Sequence, residues 1–181
     1  MARFFVSFLT TATAVQRLIV FRDATPILNS LHTITNNLHS LGSLLEKFNG
    51  GFNGTLAAIQ IQGETGKVQT AIDNGVDAAS RVQPLNEDES TRVTNVVVEL
   101  QSDIYRVLDL LVAKKPAFDT AILGFASASF LVKLDLQELR KSTARLGSGI
   151  VSKLVDDLQR LGPLITSDID YHFAEALMIY S

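Results

Sequence analysis

Between Val93 and Leu139 two apolar stripes meet at Lys114-Lys115-Pro116, and few folds accommodate that arrangement. Val93, Val97, Leu100, Ile104, Val107 and Leu111 recur at alternating steps of four and three, and Phe118, Ile122, Phe125, Ser129, Val132, Leu136 and Leu139 repeat the rhythm beyond the proline. Such steps keep side chains on one face of a 3.6-residue helix. Proline lacks an amide proton and suits the first turn of a new helix, while Lys114 and Lys115 favour the negative end of the old one. The stretch is expected to be two long helices, most simply a hairpin, with the other helices packed on it.

The remaining sequence extends the pattern. Thr25-Pro26 reads as a helix start, with threonine as cap. Ile27, Leu31, Ile34, Leu38, Leu41, Leu45 and Phe48 then keep a four-three alternation up to a glycine-rich stop at Asn49–Gly54. A second helix is expected from about Thr55 to Val82; Gly63, Gly66 and Gly75 weaken it by about 1 kcal/mol each relative to alanine. Gln83-Pro84-Leu85 ends it, and Asn86-Glu87-Asp88-Glu89 has the form of a capping box for the third helix. The fourth is expected from Pro116 to about Leu139, with a stop or kink at Gly147-Ser148-Gly149. A fifth helix through Ile150, Leu154, Leu158 and Leu161 should close at Gly162-Pro163, followed by a last helical segment to Tyr180. No period-two stretch competes as a strand. The expected fold is all-α, an up-and-down bundle of five to six helices with no sheet.

Composition sets the partners. The 181 residues are 46% hydrophobic and only 19% charged, with a mean hydropathy of +0.21, an apolar excess that must be buried, matched to a partner or used to line a cavity. A formal charge of −3 and a pI near 5.6 argue against nucleic acid. Cysteine is absent, which excludes disulfides, thiolate metal sites and thiol nucleophiles.

Residues 1–14, MARFFVSFLTTATA, have the order of a secretory signal peptide: one arginine, a short apolar run, then Ala12-Thr13-Ala14. Cleavage is expected after Ala14, or as late as about Arg22, leaving 23–181 as a single helical-bundle domain. The alternative is an amphipathic first helix. Asn53-Gly54-Thr55 is the only Asn-x-Ser/Thr sequon and makes Asn53 a glycosylation candidate.

The secretory start, the segment Leu-Leu-Val-Ala-Lys-Lys-Pro-Ala-Phe at 110–118, and the Leu/Ile heptads from 27 to 169 together resemble the fungal hydrophobic surface-binding protein A family. That family includes antigenic cell-wall galactomannoproteins. The resemblance runs from about Arg22 to about Phe173. It implies a helical bundle located in the cell wall or medium, an apolar cavity holding a fatty acid or other lipid, and adsorption to hydrophobic surfaces with recruitment of hydrolytic enzymes. The chain departs from wall-anchored members by ending at Met178-Ile179-Tyr180-Ser181 without a Ser/Thr-rich tail, so no glycolipid anchor is expected.

The site expected from these stripes is an internal lipid cavity lined by Leu31, Leu38, Leu100, Ile104, Leu108, Ile122, Phe125, Ser129 and Val132. The alternative is a dry core made of the same residues. Ser129 lies in the apolar register among small neighbours; its hydroxyl either holds a lipid head group or bonds to the carbonyl one turn back. His32 and His39 lie two turns apart, about 10 Å, too far for one metal without other ligands. Asp156-Asp157 and Asp168-x-Asp170 read as solvated helix surface. No nucleophile elbow, zinc-protease motif or phosphate loop is present, so no catalytic residue, metal or cofactor is expected. The partners expected are a long-chain fatty acid or other lipid such as a sterol, hydrophobic surfaces and cell-wall polysaccharide, with the protein a monomer. A structural, antigenic wall protein with a dry core is the remaining reading.

Overall fold

The computed structural model describes residues 23–51, 54–123 and 126–181, with the side chains at 122, 123 and 126 left out. The expected signal peptide and the Asn53 candidate lie outside the described residues. Five helices account for nearly all the rest: α1 (Thr25–Lys47), α2 (Gly54–Arg81), α3 (Glu87–Thr120), α4 (Ala128–Val151) and α5 (Asp156–Ile179). The fold is an all-α bundle.

Consecutive helices run in opposite directions but do not simply neighbour one another. α1 packs on α2 and α3, α2 also on α4, α4 also on α5, and α5 also on α3, which closes a five-membered ring. Polar contacts fix the directions. Gln62, Gln69 and Asp73 of α2 meet Asp135, Ser142 and Arg145 of α4 in rising order, so those helices are parallel. His39–Asp103 and Glu46–Arg106 make α1 and α3 parallel, and Tyr105–Asp168 and Leu111–Tyr180 do the same for α3 and α5. Arg140–Asp170 and the approach of Gly162 to Val151 make α4 and α5 antiparallel. Five helices at interaxial spacings of roughly 9 Å cannot all touch in the middle; such a ring leaves an axial channel about 3 Å in radius unless large side chains fill it.

Several local expectations are corrected. α3 does not stop at Pro116 but continues to Thr120, and the chain turns instead through two short antiparallel strands, β1 (Ile122–Leu123) and β2 (Ala126–Ser127), paired Ile122↔Ser127 and Leu123↔Ala126. The expectation of no sheet fails there. α3 and α4 are accordingly not a packed hairpin: they lie on opposite sides of the ring and touch little. α4 passes unbroken through Gly147-Ser148-Gly149, and α5 through Gly162-Pro163, because these glycines serve packing. A Cβ on Gly147 would lie 2.8 Å from Thr166 Cγ2 and one on Gly162 2.5 Å from Val151 Cγ2. In α2 only Gly75 has that role, facing Leu146 at 3.0 Å, while Gly63 and Gly66 face open space.

The caps follow the same logic. The capping box forms as expected: Glu89 N–H donates to Asn86 Oδ1 (2.9 Å) and Asn86 N–H to Glu89 Oε2 (3.0 Å). At α1 the capping residue is Ala24 without a side-chain cap, and Asp23, not Thr25, supplies the acceptor, taking the Thr25 N–H at 2.8 Å. Lys114 does not serve its own helix. Its Nζ donates to the carbonyls of Glu46 (3.0 Å) and Phe48 (2.7 Å) and so closes the C-terminus of α1.

Candidate functional site

One end of the ring is sealed by aromatic side chains. Phe48 and Phe118 stack tilted at 4.4 Å, Phe118 meets Tyr180 edge-on at 6.5 Å, and the Tyr180 hydroxyl donates to the Leu111 carbonyl at 2.7 Å. All three rings are buried, and burial holds the Tyr180 phenol well above its ordinary pKa. The 110–118 segment thus builds this plug: Lys114 caps α1, Lys115 pairs with Asp119 (2.8 Å), and Phe118 fills the centre.

Above the plug the ring encloses a small cavity of about 60 Å³. Its walls are almost wholly apolar: Leu38 of α1, Ile61 and Val68 of α2, Leu108 of α3, Val132 and Leu136 of α4. Towards the other end a wider space of about 640 Å³ lies between α3, α4 and α5, with Leu31 of α1 on its wall. Leu100, Ile104, Thr143, Leu146 and Phe173 line both spaces, so the wide groove and the narrow cavity adjoin at these side chains. The groove has the size typical of small-molecule sites, roughly 300–1,000 Å³; the inner cavity alone does not.

Of the residues expected to line a lipid site, Leu38, Leu100, Ile104, Leu108 and Val132 border the inner cavity, and Leu31 borders the groove. Ile122 is described for its backbone only, and Phe125 lies outside the described residues. Ser129 is placed elsewhere. Its hydroxyl donates to Asp119 Oδ1 at 2.5 Å, neither facing the cavity nor bonding one turn back. Asp119, held by Lys115 first and Ser129 second, has its carboxyl below the usual range. A charged partner across the turn outcompetes a carbonyl that already serves the helix.

Sequence patterning missed the contribution of α5, whose Leu158, Ile165 and Ile169 form one wall of the groove. It also missed the polar lining. Gln62 and Asp135 both border the inner cavity, and Gln62 Nε2 donates to Asp135 Oδ1 at 3.1 Å. Burial raises the Asp135 carboxyl above its ordinary pKa, with the Gln62 bond acting against it. The available signal was Asp135 itself, a carboxylate inserted between Val132 and Leu139 at helical spacing. Thr65 also faces this space but donates to the Ile61 carbonyl at 3.0 Å.

At the groove, Arg140 grips Asp170 with two bonds of 2.6 and 2.7 Å, which lowers the Asp170 pKa and raises that of Arg140. Asp168 accepts from Gln101 at 2.9 Å and from Tyr105, whose phenol is pushed up to about 12 by burial and then by that carboxylate. Asp168 and Asp170 are therefore ties from α5 to α3 and α4, not free surface. Among the described residues no group of His, Cys, Asp and Glu is placed to hold a metal, and no helix is long and apolar enough to cross a membrane.

Residues 24–152 match the sequence model of a family described as hydrophobic surface binding protein A. No functionally curated sequence matches the chain. Among solved structures, the chain resembles AFMP4P in complex with palmitic acid, with 31% identity and a TM-score of 0.81 over 88% of this chain and 100% of that one. It also shares the fold of ligand binding domain 1 of the Penicillium marneffei MP1 protein, complexed with arachidonic acids (19% identity, TM-score 0.79, 88% of this chain and 99% of that one). Ligand binding domain 2 of the same protein, complexed with multiple arachidonic acids, is similar as well (18% identity, TM-score 0.78, 90% of this chain and 98% of that one).

Proposed function

This chain belongs to the hydrophobic surface binding protein A family, and from that premise we propose that it is a secreted, wall-associated carrier of a single-chain lipid of the fatty-acid class. The observation that carries the reading is the largely apolar groove of about 640 Å³, which adjoins the apolar ring interior along five shared side chains. The palmitic acid in AFMP4P supports the ligand class. Leu100, Ile104, Thr143, Leu146 and Phe173, common to groove and cavity, are the residues along which an acyl chain would pass.

Native mass spectrometry of protein purified without detergent, followed by lipid extraction, tests this directly. The expected result is one or more bound acyl chains, or uptake of palmitate by protein stripped of lipid. Stripped protein that takes up neither a fatty acid nor another single-chain lipid would overturn the carrier reading.

A second use rests on a different observation. Leu161 and Leu164 on α5, with Met178 and Ile179 near its end, are large apolar side chains exposed at 49%, 69%, 68% and 47%. Such a face suits adsorption to a hydrophobic solid. Retention on polystyrene beads, compared between the native protein and a Leu161→Ser/Leu164→Ser variant, measures it; equal retention would remove this face from the account.

A further inference from the structure

Apart from the hydroxyls of Thr65 and Thr143, the polar side chains on the lining of the inner cavity are gathered at one place, on the wall between α2 and α4. There Gln62 and Asp135, both half-buried, border the cavity one turn beyond Ala58 and Val132 on their respective helices. A carboxylate on an apolar cavity wall is costly unless several donors hold it. Asp119 and Asp170 each have a cationic partner; Asp135 has only the neutral amide of Gln62 among the described residues. Nothing else in the packing of α2 on α4 requires the charge, since the same seam is joined further along by Gln69–Ser142 and Asp73–Arg145. Asp135 is thus an acceptor with spare capacity, placed on the lining of a ligand space.

That capacity suits a ligand donor. A hydroxyl head could donate to Asp135 while Gln62 remains bonded to it, whereas a carboxylate head would set two like charges together in a low-dielectric site. A ring of five helices at the usual spacing of roughly 9 Å leaves an interior about 3 Å in radius, which admits one methylene chain and not a fused ring system. We propose that Gln62 and Asp135 form a head-group site that takes a single-chain lipid with a hydroxyl head, a long-chain alcohol, in preference to the ionised fatty acid. This rests on the carrier reading above, and it specifies which end group the inner cavity accepts.

The test compares dodecanol with dodecanoate near neutral pH, by displacement of a fluorescent acyl probe from lipid-stripped protein. The wild-type protein should bind the alcohol roughly tenfold more tightly than the anion or better. In Asp135→Asn, which keeps an acceptor and loses the charge, dodecanoate should gain at least about fivefold while the alcohol changes little. In Asp135→Leu, which removes the acceptor, the alcohol should lose its advantage. Equal affinities in the wild-type protein, or an unchanged alcohol-to-acid ratio in Asp135→Asn, would overturn the head-group site and leave the carrier reading standing. Binding of neither ligand would overturn both.

Discussion

The hydroxyl of Tyr180 donates to the carbonyl of Leu111 at 2.7 Å, a buried bond that ties the end of α5 to the middle of the last turns of α3. With Phe48 and Phe118 it seals the narrow end of the ring. Replacing Tyr180 by phenylalanine keeps the ring contacts and removes only this bond. Stability should fall by about 1 kcal/mol, read as a lower urea midpoint with an unchanged slope.

Ser129 gives the opposite kind of prediction. Its hydroxyl belongs to Asp119, ten residues earlier, and is absent from the cavity wall. Ser129→Val should therefore leave the affinity for a long-chain fatty acid unchanged while lowering stability by about 1–2 kcal/mol, since the bond runs to a charged acceptor. A loss of affinity at unchanged stability would place the hydroxyl in the site.

Thr143 borders both the groove and the inner cavity. A phenylalanine there should close the passage and weaken palmitate uptake by roughly tenfold or more, whereas the near-isosteric Thr143→Val should bind normally. Titration of both variants against the wild-type protein measures this, and normal uptake by Thr143→Phe would show that the chain does not pass that point.

The Arg140–Asp170 pair makes stability depend on pH. The guanidinium holds the Asp170 carboxyl below its ordinary range, so the folded state binds that proton more weakly than the unfolded one. The pair's contribution is present above the unfolded carboxylate pKa, about 4, and is lost as pH falls through the lower folded value. Because Asp170 is 47% exposed, the contribution should be no more than about 1 kcal/mol. Asp170→Asn should be less stable than the wild-type protein at neutral pH, and the two should converge in acid; a constant difference down to strongly acid pH would contradict this account.

The periodicity of Leu, Ile and Val was enough to identify α1, α2 and the first part of α3, because which face of a helix is buried is a local property of spacing. The Asn86–Glu89 capping box was legible for the same reason: both partners lie within one turn. Errors arose where a residue type has two uses. Pro116 and Pro163 have the sequence context of boundaries but sit inside helices, and Gly147 and Gly162 resemble stops but are contact points where α4 and α5 approach closely. The end of α3 at Thr120 was hidden because the apolar register of Phe118, Ile122, Phe125 and Ser129 runs straight across it in the sequence.

The sequence by itself determined that the chain is helical, apolar beyond the needs of a small core, and organised by stripes that must be covered. The tertiary structure decided what covers them. A stripe specifies that a face is buried, not which helix it meets, so the ring order α1-α2-α4-α5-α3, the parallel α2–α4 seam and the groove beside α5 were outside its reach. The same holds for Lys114, which caps α1 from α3, and for Asp135, whose neighbour Gln62 is 73 positions away. Contacts between such distant positions exist only once five helices have closed around a space, and that closure sets the width of the space and its lining.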